Sequence, residues 1–226
     1  MRLLAALLIL AAGLDPAAAQ PPQGGPAAIL AAIRRDFPLD HQAIASTLAG
    51  QAPEEARRLA YQGIDRFLRG RRASILGAPG PSLVAIEARQ GAMLRALGRQ
   101  DVRLCATVGD RGFFSREALA GAEPAGLAEY GIALVEAAKA GFRATATPPA
   151  TKEDFLAWLT AVERIEPEVP VRAMLADRER RAAASPDHLC RGAAAMHEAV
   201  AALPAGPRER VARTLLSSVV AATSGP

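Results

Sequence analysis

VRLCATV, residues 102–108, is the one stretch where strand and helix compete, and its reading decides whether a sheet enters the fold. Val102, Leu104, Ala106 and Val108 alternate in the manner of a half-buried strand. A lone strand has nothing to pair with, and no second stretch of the chain offers itself as a partner. Asp101 stands where a helix N-cap is wanted and Gly109 where a terminator is wanted. The stretch is therefore expected to be a short helix.

The flanking sequence has the same character. Upstream, Ser82 is placed to cap a helix whose Leu83, Ile86, Gln90, Met93, Leu94 and Leu97 line one side. Before it, GAPGP (77–81) stops a long helix that opens at Pro53, Glu54 and Glu55 and runs to about Leu76. Ala56, Leu59, Ala60, Ile64, Phe67 and Leu68 keep the three–four spacing of one face in that helix. Earlier still, Ala27 to Arg35 and His41 to Leu48, the latter capped by Asp40, read as short helices.

Downstream, DRGFFSREALAG (110–121) reads as a loop with a helical turn pinned by Phe113 and Phe114. Helices are expected from Pro124 to Gly141, and from a capping pair at Thr151 and Asp154 to the stop at Pro167 and Pro170. Another runs from Val171 into the charged DRERR (177–181), and another from Ser185 and Pro186 to Leu203. The last covers Arg208 to about Ala222. The expectation is an all-α fold: one domain over 27–222, an antiparallel bundle or irregular array of about seven to nine helices. Of the 226 residues 53 are alanine and nine aromatic, so the core must be built on close helix approach rather than bulky side chains.

Residues 1–19 have the layout of a cleavable secretory signal. Arg2 precedes the apolar run Leu3 to Leu14, and Ala17-Ala18-Ala19 gives a small-residue cleavage site before Gln20. A polar leader (20–26) and a short tail (223–226) flank the domain. The run is too short to span a bilayer, and no transmembrane segment is expected after cleavage. Export is the expectation, to the periplasm in a cell with two membranes. In an oxidising compartment the two cysteines, Cys105 and Cys190, are expected to form one disulfide.

The net charge of +4 rests on 25 arginines against 2 lysines, a bias typical of composition rather than of a ligand. Few aromatics and an exported setting argue against nucleic acid. The strongest local excess is on the long helix, where Arg58, Arg66, Arg69 and Arg72 form a candidate site for an anionic surface, either lipid or an acidic protein.

Catalytic motifs are absent: there is no G-x-S-x-G, phosphate-cradling glycine loop, H-E-x-x-H or EF-hand loop. His188, Cys190 and His197 share one helix and are the residues a metal-binding protein or metal-assisted hydrolase would use. The simpler account is a disulfide beside two helical histidines, His188 near the N-terminus and His197 at the rim of the core. On it, His188→Ala and His197→Ala should both be tolerated. Glu163, Glu166 and Glu168 crowd a proline kink and read as helix-end acids on a solvated turn. The leading expectation is a non-enzymatic binding or scaffold module without a cofactor; a carrier of an apolar ligand is a further alternative.

Overall fold

The 102–108 stretch is helical. Asp101 caps it, its Oδ1 accepting from the backbone N–H of Arg103 (2.9 Å) and Leu104 (3.0 Å). The computed structural model describes residues 25–111, 125–142 and 147–222, with backbone alone at 111 and 218–222. The signal-like segment, most of the leader, Phe113, Phe114 and the tail lie outside the described residues.

Among the described residues there are twelve α-helices, one 3-10 turn and no strand. In chain order they are α1 (Gly25–Asp36), α2 (Pro38–Leu48), α3 (Pro53–Gly70), α4 (Arg72–Leu76), α5 (Gly80–Gln100) and α6 (Val102–Arg111). There follow α7 (Leu127–Ala140), α8 (Lys152–Ile165), α9 (Val171–Ala176), α10 (Arg178–Ala183), α11 (Pro186–Glu198), the 3-10 turn (Ala199–Ala202) and α12 (Ala205–Ala222).

The finer division than the sequence suggests has two local causes. The long third helix breaks at Arg71, after Gly70, and restarts as α4, which packs its Ile75 into the core. The charged helix after Pro170 breaks at Asp177, whose side chain caps α10 by accepting from Glu179 and Arg180. Several expected boundaries also move, those at Asp40, Ser82 and Gly109 among them. Asp40 lies inside α2, which starts at Pro38, and α5 begins at Gly80 rather than after Ser82. Gly109 does not end α6: an added Cβ there would lie 2.5 Å from Cβ of Ala193 on α11. Its lack of a side chain serves packing rather than termination.

The array is organised around α5, which packs against α6, α7, α11 and α12. Gly91 and Gly98, two turns apart on α5, face α11: a Cβ at 91 would meet Glu198 and His197, and one at 98 would lie 2.7 Å from Cys190 Sγ. Gly131 on α7 does the same for Ile29 on α1, at 2.3 Å. Glycine and alanine thus let helices approach closely, and one contiguous apolar cluster runs from Ile29 to Leu216. The buried Cys105–Cys190 disulfide joins α6 to α11, with Cα atoms 5.2 Å apart. At the other end of α11, Trp158 of α8 donates its indole N–H to the Met196 carbonyl (2.8 Å). No described helix is long and apolar enough to cross a membrane.

Candidate functional site

Helix α3 opens with Pro53 in its first turn and with Glu54 and Glu55 at its positive end. Its buried side carries Ala60, Tyr61, Ile64, Phe67 and Leu68, which leaves the arginines outward. The four candidate arginines then meet different fates. Arg58 pairs with Glu55 one turn back, its Nε 2.8 Å from the carboxylate. Arg69 pairs with Asp65, a buried acid whose carboxyl burial pushes up while Arg69 and Arg66 pull it down. Arg72 falls beyond the break at Arg71 and reaches the Ser217 carbonyl of α12 (3.3 Å). Arg66 is exposed and makes no ion pair among the described residues, since its neighbour Asp65 is taken by Arg69.

The structure adds Arg71, which the sequence does not single out. Its Nη2 lies 2.6 Å from Asp40 of α2, and its guanidinium carbon sits 4.9 Å from the Phe37 ring centroid and 5.9 Å from that of Phe67. Those rings meet edge to face at 5.0 Å. Arg71 is thus held by an ion pair and two aromatic faces. Beside it, between α2 and α3, lies an open groove of about 340 Å³. Arg66, Arg71 and Asp40 supply its charged lining, and Ile44, Leu59 and Phe67 much of its apolar lining.

The histidine–cysteine helix assembles differently from a metal site. Cys190 is in the disulfide. His197 is buried, with Nδ1 2.5 Å from Oε2 of Glu87 on α5, and Glu87 is completely buried. His188 is partly exposed, at the first turn of α11. Among the described residues, no three His, Cys, Asp or Glu side chains gather as metal ligands would.

The Glu87–His197 pair is instead a clamp between α5 and α11. Burial pushes the Glu87 carboxyl up, with His197 opposing it. Burial also raises Tyr130 of α7, and the Glu87 charge adds to the rise. Glu87 Oε1 and Gln90 Oε1 are buried without a hydrogen-bond partner among the described residues. Neither the α2–α3 groove nor a smaller pocket beside Met174 and Leu189 is lined by this pair, so no substrate path reaches it along either.

The acids of the proline kink are engaged as well. Glu163 pairs with Arg172, its Oε1 2.8 Å from Nε. Glu166 is nearly buried between Arg95 of α5 and Arg191 of α11. Burial pushes its carboxyl up, but Arg191 and Arg95 outweigh that and leave it below the ordinary range. Arg95 also forks onto Glu198 (2.9 and 2.8 Å), and Glu168 shares Arg191. This network ties α5, α11 and the end of α8 together; of the three acids expected on a solvated turn, Glu163 and Glu168 keep solvent exposure while Glu166 is buried.

No family model matches the chain, and no curated protein or solved structure shows significant similarity to it.

Proposed function

We propose that this chain is an exported helical binding module, braced by its disulfide, that presents the α2–α3 face to an anionic surface. The observation that carries the reading is Arg66, exposed and in no ion pair among the described residues, lining the same open groove as the anchored Arg71. Export is supported by the secretory layout of residues 1–19 and suits a chain whose two thiols are joined. A binding role rather than a catalytic one is favoured because the acids and histidine nearest to an acid–base constellation are locked into interhelical pairs.

The test is co-sedimentation with vesicles of phosphatidylcholine, with and without phosphatidylglycerol, at 20 and 150 mM salt. Binding is expected only with the anionic lipid, weakening at the higher salt as the Debye length shrinks. Arg66→Gln should weaken it about fivefold, the worth of one cation near such a surface. Equal binding to both vesicle types, or none to either, overturns the reading.

A further inference from the structure

We infer that the groove between α2 and α3 is a binding site for a small monocarboxylate with an apolar body. Its carboxylate would be received by Arg66 and Arg71, and its apolar part would lie along Ile44, Leu59 and Phe67. For its polar half this rests on the reading of the α3 face as anion-facing, and it adds a ligand of defined size, charge and shape.

Four observations converge on that ligand. The volume, about 340 Å³, falls in the range of small-molecule sites, roughly 300–1,000 Å³. The charged lining is two arginines against one aspartate, a surplus of one positive charge, which matches a single carboxylate rather than a polyanion. Arg71 is already oriented by Asp40, Phe37 and Phe67, so little side-chain freedom is lost when it takes a ligand. Asp40 engages only Nη2, and the Nε and Nη1 donors of Arg71 have no hydrogen bond among the described residues.

The shape fits too. The helices touch where a Cβ on Gly63 would lie 2.8 Å from Ile44 Cγ2, yet a Cβ on Gly70, two turns on, would meet nothing within 4 Å. Gly70 lines the groove, so the space is open at the end where Arg71 stands.

Gly70 therefore offers a variant that fills the site and leaves every arginine in place. Its φ is not in the left-handed region, so Gly70→Leu introduces no backbone strain there. Calorimetric titration of the purified protein with decanoate at low salt should show one site. Decanamide, the neutral analogue, and decyltrimethylammonium should not compete. Gly70→Leu should abolish decanoate binding at a melting temperature no lower than the parent's, and Arg66→Gln, an exposed change, should weaken it about tenfold, the worth of one charge-assisted hydrogen bond.

Decanoate binding that survives Gly70→Leu, absence of binding to the parent protein, or equal binding of decanamide overturns the inference. The wider face is judged separately on anionic vesicles. Gly70→Leu should keep vesicle binding while losing decanoate. Loss of vesicle binding in Arg66→Gln with decanoate titration unchanged would leave the face standing and remove the groove site.

Discussion

His197 and His188 sit nine residues apart on one helix and should respond to mutation in opposite ways. His197 is 6% exposed and bound to a carboxylate that is 0% exposed. Removing the imidazole leaves Glu87 buried with both oxygens unpartnered, since Oε1 already lacks one. Breaking a buried pair from one side costs about 3–5 kcal/mol. His197→Ala should lower the urea midpoint by that equivalent, whereas His188→Ala, whose side chain makes no hydrogen bond or ion pair among the described residues, should stay within about 0.5 kcal/mol. A His197→Ala variant as stable as the parent would show that the pair contributes nothing. The sequence alone suggests tolerance at both positions, because the histidine type and helix are the same. What separates them is the carboxylate that α5 places opposite. Its trace in the sequence is slight: Glu87 falls in register with Leu83, Gln90 and Leu94, a charge on a stripe otherwise facing inward.

Single elements meet through glycines and caps, and these differ in how far a sequence discloses them. Gly109 and Gly70 both sit in or at the end of an arginine-flanked helix. Only the assembled structure shows Ala193 against the first and open space beside the second. Gly109→Val should therefore destabilise by about 1–3 kcal/mol through overpacking of α6 on α11. Gly70→Ala should be neutral or stabilise by about 0.4–1 kcal/mol through the unfolded chain. Thermal melts of the two variants check the contrast, and equal effects would mean that the α6–α11 contact yields freely.

The start of α8 was legible, because Thr151 and Asp154 form a capping box from residues three apart. Its tertiary half was not: Arg210 of α12 forks onto the same Asp154 carboxylate (2.7 and 2.8 Å). Arg210 first, and the Thr151 bonds after it, hold that carboxyl well below the usual range. A depressed carboxylate stabilises above its unfolded pKa, about 3.9, and loses that contribution as pH falls through the folded value. Arg210→Ala should accordingly melt lower than the parent at pH 7, with the gap closing as pH falls from about 4 towards 2. A gap that stays constant with pH would assign the effect to packing.

At the scale of the molecule, α5 and the disulfide divide the work of holding an alanine-rich array together. The all-α architecture and the covalent link were both readable, the first from three–four spacing and punctuation, the second from an even cysteine count in a chain with a secretory layout. The groove and the Arg71 anchor were not readable, because they depend on a helix break after Gly70 and on side chains from α2. The link spans 85 residues, from α6 past α7, α8, α9 and α10 to α11. In the chain-entropy account a loop of that length is worth about 4–5 kcal/mol, felt in the unfolded state rather than in native contacts. The native contacts around it are largely independent of the bond: α11 packs on α5 as well as on α6, and Glu87–His197 and Arg95–Glu198 hold the α5 side. Replacing both cysteines by alanine should therefore leave helix content unchanged by far-ultraviolet dichroism, while the urea midpoint falls by the equivalent of as much as about 4–5 kcal/mol. Loss of helix content without denaturant would make the bridge a condition of folding; an unmoved midpoint would mean that the unfolded chain is already as restricted as the bridge makes it.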